Sequence, residues 1–289
     1  MNQIILFLLL LFIAYPMQGQ PSQVRTPIEE SARQLFDMEQ HDLTYNGKEY
    51  RLYIAQPAGS GQTPHPVLYM LDGNGQFPML VNAMEEVSDN TPLIVGIGYP
   101  SLQAYPKERT RDYTISVEGN GEGGDAEDFY RFIIDKVKPF VEANYAVDTT
   151  RQTLCGHSYG GLFTLYVAFN HTRAFQHYLA GSPAIWWGQG VIVPKQRPFF
   201  SHIPHSVTIT LGEYEENPES DPSRKNLTPE IRKIKEQRKG GLSPRDLASM
   251  IAEEVPDCRF ILYPSKNHGS SIPEFLKEAV YVAGGKAGQ

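Results

Sequence analysis

Two kinds of apolar segment recur along the chain, and their spacing predicts alternating strands and helices. Leu43-Thr44-Tyr45-Asn46-Gly47-Lys48-Glu49-Tyr50-Arg51-Leu52-Tyr53-Ile54 reads as a hairpin with the Asn-Gly pair at its turn. Pro66 to Leu71 and Leu93 to Gly98 are continuous apolar runs, as expected of parallel strands buried on both faces. Asp125 to Tyr145 predicts a helix, with Phe129, Ile133, Val137, Phe140, Val141 and Tyr145 near one face and a kink at Pro139. Further strands are predicted at Arg151 to Cys155, Gln176 to Ala180, Ser206 to Leu211 and Arg259 to Tyr263. A helix opens at Gly161, and the last one begins near Pro273, a favoured first-turn residue. This alternation predicts an α/β sheet.

Two stretches stand outside the alternation. Ile185 to His205 carries Trp186-Trp187, several prolines and two phenylalanines, and Asn217 to Glu254 is highly charged and reads as mostly helical. Both are expected as surface insertions, near 185–205 and 217–254, able to roof a site. Residues 20–40 are expected as a loose polar lead-in, and 41–285 as a single domain. The N-terminus, 1–19, reads as a signal peptide: Ile4 to Ala14 is unbroken and apolar but short for a bilayer, and Gly19 offers a cleavage point. An uncleaved anchor is the alternative, because no Lys or Arg precedes Ile4 and Met17 suits cleavage poorly. The expected location is therefore exported, periplasmic or secreted, with no stable membrane insertion after signal removal.

With 289 residues, 40% of them hydrophobic, the chain can build one large core. A net charge of −7 with scattered basic residues argues against nucleic acid as a partner. The two cysteines, Cys155 and Cys258, read as small core residues rather than a bridge. No metal-type Cys/His spacing occurs, and neither metal nor cofactor is expected.

The candidate chemistry begins at Gly156-His157-Ser158-Tyr159-Gly160, a G-x-S-x-G pentapeptide between a strand and a helix opening. Such a turn thrusts its serine out of the sheet edge, and the glycines relieve crowding that a Cβ would cause. This is the nucleophile elbow of an α/β-hydrolase, the fold class expected here. A serine hydroxyl needs a general base, and the base an orienting acid, in the chain order Ser, Asp/Glu, His. His268 alone among the eight histidines occupies a late post-strand loop. Glu213, Glu215 and Glu216 all follow the strand that ends near Leu211, and Asp221 is a distant fallback. A Ser-His dyad without an acid is a further alternative. Oxyanion stabilisation needs two backbone N–H donors, expected from Tyr159 and from Asn74 in the Gly73-Asn74-Gly75 turn, where small residues let backbone approach substrate. Arg111 could grip an anionic substrate or pair structurally with an aspartate. Trp186 could wall the site or seal the core. His157 reads as a packing or hydrogen-bonding neighbour that could also touch substrate.

Several segments carry a family resemblance: Leu71-Asp72-Gly73-Asn74, Arg111-Asp112-Tyr113-Thr114, Gly156 to Gly161, Ala180-Gly181-Ser182-Pro183, Gly212-Glu213-Tyr214-Glu215 and Asn267 to Ser271. On these the chain resembles the putative-esterase (esterase D) superfamily, and within it the bacterial ferric-siderophore hydrolases related to the enterobactin and bacillibactin esterases. The resemblance implies ester hydrolysis with Ser158 as nucleophile and His268 as base, and selects Glu215 as the acid. The expected activity is an exported serine carboxylesterase, acting on siderophore-type esters by an acyl-enzyme route. The alternatives are a carbohydrate acetyl- or feruloyl-esterase on a glycan-linked substrate, and a non-catalytic binding protein on the same scaffold. The oligomeric state is not legible.

Overall fold

A computed structural model describes residues 22–118, 120–223 and 241–285. The signal-peptide expectation at 1–19 and the middle of the charged stretch, 224–240, lie outside the described residues. Among the described residues no helix is long and apolar enough to cross a membrane.

The hairpin forms as its sequence requires. β1 (Phe36–Tyr45) and β2 (Lys48–Pro57) pair antiparallel, with Asn46 at φ 48° and Gly47 at φ 74°. Both turn residues are types that tolerate positive φ, and such turns match the twist of the flanking strands. The apolar runs become β3 (His65–Met70) and β4 (Leu93–Gly98), every residue of which is buried. β7 (Val147–His157), β8 (His177–Gly181), β9 (Ser206–Gly212) and β10 (Cys258–Tyr263) complete one eight-stranded sheet of order β1-β2-β4-β3-β7-β8-β9-β10. From β4 to β10 all neighbours are parallel; β1, β2 and β4 pair antiparallel. A separate small ribbon joins β5 (Ile115–Val117) to β6 (Asn120–Asp125).

Strand alternation sorts side chains into two cores. Val67 and Tyr69 face a cluster with Phe129, Phe132, Leu162 and Phe163, whereas Leu68 and Met70 face one with Phe77, Leu80, Ile272 and Phe275. Accordingly α4 (Ala126–Phe132) and α6 (Tyr159–Asn170) cover one face, and α2 (Gly73–Asn82) and the C-terminal α9 (Ile272–Ala283) cover the other. The connections leaving β3 and β7 thus depart to opposite sides. Between them opens a crevice at the carboxyl ends of the strands, the usual place for ligands in open α/β sheets.

Four expectations change. The lead-in at 20–40 is not loose throughout: α1 (Glu30–Leu35) and the start of β1 lie within it, anchored by buried Ala32 and Phe36. The helix at 125–145 is divided: α4 passes through a π turn at Ile133–Val137 before α5 (Lys138–Asn144). Pro139 lacks an N–H and its ring crowds the carbonyl four residues back, and the wider π turn takes up that mismatch. The 185–205 stretch is built into the core, since Trp187, Ile192, Phe199 and Phe200 are buried beside α6. Finally, the end of the charged stretch forms α8 (Pro244–Ala252), capped by Ser243 Oγ accepting from Asp246 N–H. Its Leu247, Ala248 and Ile251 are buried in the core cluster that includes β9 residues, so α8 is a sheet-covering helix rather than a surface insertion.

If α8 is core, Leu247→Ala should cost about 2–5 kcal/mol in urea unfolding. A cost within about 0.5 kcal/mol, as surface substitutions show, would return α8 to the periphery.

Candidate active site

Ser158 sits between β7 and α6 at φ 61° and ψ −116°. That conformation is available because the chain folds back on itself without side chains in the way. A Cβ on Gly156 would lie 2.5 Å from the carbonyl carbon and oxygen of Gly160, and one on Gly161 would lie 2.9 Å from the Gly181 oxygen. The serine's backbone is held on both sides. Its N–H donates to Gly181 O at 2.8 Å, and its carbonyl accepts from Leu162 N at 2.9 Å and Ala184 N at 3.1 Å. The side chain is left to project from the sheet edge.

Three loops beyond parallel neighbours converge on it. His268 follows β10 and Glu215 lies in a short helical turn, α7 (Glu213–Glu216), directly after β9. The two loops interlock: Tyr214 N–H donates to Lys266 O at 2.9 Å, and a Cβ on Gly212 would stand 2.5 Å from that same oxygen. His268 Nε2 lies 3.0 Å from Ser158 Oγ, and His268 Nδ1 lies 2.7 Å from Glu215 Oε2. A carboxylate only accepts, so Nδ1 carries the N–H and Nε2 is free to accept the serine proton. Glu215 Oε1 accepts from Ser182 Oγ at 2.7 Å and Gly212 N–H at 3.0 Å. Burial alone would raise the Glu215 pKa. The charge and hydrogen bond of His268 and the Ser182 hydroxyl outweigh it and bring the carboxyl down to about 2. The other acids are engaged elsewhere: Glu213 accepts from Ser265 N–H at 2.7 Å, Glu216 is forked by Arg245 at 2.6 and 2.9 Å, and Asp221 accepts from Ser223.

The remaining expected site residues fall differently. His157 is 2% exposed and packs beneath His268, its ring 4.7 Å from that of His268 and 5.7 Å from Phe275. Its Nε2 lies 3.3 Å from Ser271 Oγ. Burial, reinforced by the charge of His268, holds its pKa well below the ordinary histidine value. It is a neutral packing partner, which corrects the expectation of substrate contact. Gly73 is also reassigned: a Cβ there would lie 2.7 Å from the Gly96 carbonyl carbon, so its smallness serves the close approach of α2 to β4 rather than a substrate. Asn74 is wholly buried, and its side chain staples the turn after β3 to the exit of β4. Nδ2 donates to Tyr99 O and Ser101 O at 2.9 and 3.0 Å, and Oδ1 accepts from Tyr99 N–H at 2.8 Å. Tyr159 is half-buried at the start of α6, with Trp186 and Trp187 at ring distances of 5.9 and 5.5 Å. Trp186 is half-buried there, whereas Trp187 is buried and donates to Ile115 O at 3.0 Å.

Arg111 is engaged in a structural pair. Its guanidinium forks Asp112 at 2.7 and 3.0 Å, which favours the loop-holding alternative over substrate grip. Among the described residues Arg109, which shares the segment Arg109 to Thr114 with Arg111, lies against Tyr159 of the elbow. It forks Asp72 at 2.5 and 2.8 Å and lies over the rings of Tyr105, Tyr113 and Tyr159 at 5.7, 5.3 and 5.5 Å. Both arginines lie on α3 (Glu108–Tyr113), two positions apart, and residues so spaced point to different sides of a helix. That offset was the available signal, but nothing in the sequence said which side faced the cleft.

A half-buried serine at a strand-to-helix elbow, backed by histidine and carboxylate on a mostly parallel eight-stranded sheet, defines a protein of the α/β-hydrolase class. The comparisons narrow the class: residues 44–222 match the family described as "Putative esterase", and the chain belongs to that family. It is similar to a ferri-bacillibactin esterase of Bacillus subtilis, 29% identical over 264 residues covering 82% of this chain and 85% of the relative. It is 30% identical over 255 residues to a siderophore enterobactin esterase of Emericella nidulans, covering 76% and 82% of the two chains. Among solved structures, a siderophore hydrolase from Aspergillus nidulans superposes with a TM-score of 0.75 at 26% identity, covering 91% of this chain and 98% of that one. The chain is an ester-hydrolysing enzyme.

The Glu215 carboxyl fixes a pH dependence. Because its folded pKa lies below the ordinary value of 4.5, ionised Glu215 stabilises the fold above about 4.5, and this contribution is lost as pH falls through about 2. Urea unfolding of wild type and Glu215→Gln should therefore show a gap at neutral pH that closes on acidification across that window. A gap independent of pH would mean that Glu215 is not the ionised partner.

Proposed function

We propose that the chain is an exported serine carboxylesterase that cleaves siderophore-type esters through an acyl-enzyme, with Ser158 as nucleophile, His268 as general base and acid, and Glu215 as the orienting carboxylate. The observation that carries this reading is the continuous chain Ser158 Oγ–His268 Nε2 at 3.0 Å and His268 Nδ1–Glu215 Oε2 at 2.7 Å. Ser158 Oγ attacks the ester carbonyl carbon while its proton passes to Nε2. The tetrahedral oxyanion collapses, Nε2 returns the proton to the departing alkoxide, and water repeats the cycle to release the acid. Glu215 remains ionised throughout and stabilises the imidazolium. In this reading the N–H of Tyr159, in the first turn of α6, donates to the oxyanion, and the helix dipole favours the developing charge; Asn74 is wholly buried, so its turn would have to shift for its N–H to serve as the second donor.

The siderophore class comes from the relatives, which act on bacillibactin- and enterobactin-type esters by their descriptions. Export rests on the apolar run Ile4 to Ala14 and its polar continuation. A second reading, a carbohydrate-linked ester, is favoured by one observation. Arg109 and Arg111 are both tied to aspartates, while Tyr159 and Trp186 stand together as an aromatic pair 5.9 Å apart. A panel of ferric and apo catecholate trilactones beside acetylated and feruloylated sugars separates the two.

Ser158→Ala should lower turnover of p-nitrophenyl acetate by roughly 10⁴-fold or more, leaving only the residual acceleration of the remaining site. It should also abolish labelling by a fluorophosphonate probe. Equal rates in both proteins would end the serine reading and revive a non-catalytic role for the scaffold.

A further inference from the structure

Beyond the reacting groups, the turn Gly181-Ser182-Pro183-Ala184 after β8 touches two of the three at once. Gly181 O accepts from Ser158 N–H, and Ala184 N–H donates to Ser158 O, so the turn brackets the serine's peptide units. Between these contacts stands Ser182, 3% exposed, in a left-handed conformation at φ 41° and fixed by its own N–H to Thr210 O at 2.8 Å. Its Oγ reaches Glu215 Oε1 at 2.7 Å and lies 3.5 Å from Ser271 Oγ, which donates to His268 O at 3.1 Å.

We propose that Ser182 is a positioning residue for the ester-cleaving reaction, acting through Glu215 to fix the plane of its carboxylate and so the orientation of His268. This rests on the reading of Ser158, His268 and Glu215 given above. Lone pairs on the carboxylate set its orientation. Oε1 receives two donors, Ser182 Oγ–H and Gly212 N–H, which leaves Oε2 alone facing His268 Nδ1. Removing the hydroxyl leaves one donor on Oε1. The carboxylate can then rotate about its terminal torsion, which is broad for an sp³–sp² bond. A buried charged acceptor also loses a charge-assisted bond, the stronger kind. Lowering of the Glu215 pKa by Ser182 agrees with this. The left-handed φ is the second sign: a serine held where few non-glycine residues sit is there because the surrounding contacts over-determine it.

The test uses Ser182→Gly and Ser182→Ala, each alone and combined with Glu215→Ala, assayed on p-nitrophenyl acetate together with thermal unfolding. Glycine accepts φ 41° without strain, so that variant removes the hydroxyl while sparing the backbone. Both single variants should lose roughly 10- to 100-fold in kcat with KM within about threefold, the size of one hydrogen bond to a charged group. In the Glu215→Ala background the same substitutions should cost no more than about twofold, because a residue acting only through the acid has nothing left to act on. A folded Ser182→Gly with kcat within twofold of wild type overturns the proposal, and so does an equal loss in both backgrounds. Failure of the underlying triad reading looks different: Ser158→Ala itself would then retain the wild-type rate.

Discussion

The backbone of Ser158 occupies a conformation that a serine does not adopt unaided, and the site depends on its being held there. At φ 61° and ψ −116° the residue carries strain of about 1–3 kcal/mol. The strain persists because Gly156 and Gly161 let backbone segments meet at distances no Cβ would allow, and because Gly181, Leu162 and Ala184 hydrogen-bond the serine's own peptide groups. A relaxed serine would lie back along the strand. Held as it is, the hydroxyl leaves the sheet edge, and the next residue, Tyr159, opens α6.

The rest of the site is a consequence of parallel strand order. β7, β8, β9 and β10 are successive neighbours, so the loops at their carboxyl ends carry the serine, the Ser182 turn, the acid and the histidine side by side. Short links between these loops, such as Tyr214 N–H to Lys266 O, set distances that hydrogen bonding between side chains then tightens. The charges nearby are matched. Arg109 meets Asp72 and Arg111 meets Asp112, while His157 stays neutral beneath the base. A neutral His157 matters physically, because an imidazolium 4.7 Å from His268 would oppose any positive charge on that ring.

Much of this was legible beforehand for a simple reason. A parallel strand buried on both faces must be apolar throughout, so β3, β4 and β9 announced themselves as runs. The elbow and its histidine were legible because the chemistry demands small residues around the serine and a fixed chain order. What escaped is equally instructive. The helical character of the charged stretch was read, but the packing of α8 on the sheet was hidden by the charges that flank Leu247 and Ile251, and the burial of the 185–205 stretch by prolines that usually signal a surface loop. The choice among Glu213, Glu215 and Glu216 needed the family resemblance, since all three share one loop and one charge.

By itself the sequence determined which residue types could react and in what chain order, because those properties belong to the residues and to the strand pattern that carries them. Only the tertiary structure decided which arginine lies against the elbow, which glutamate reaches the imidazole, and that Gly73 and His157 serve packing. Those outcomes depend on the directions of side chains leaving different elements, and neighbours distant in sequence set such directions.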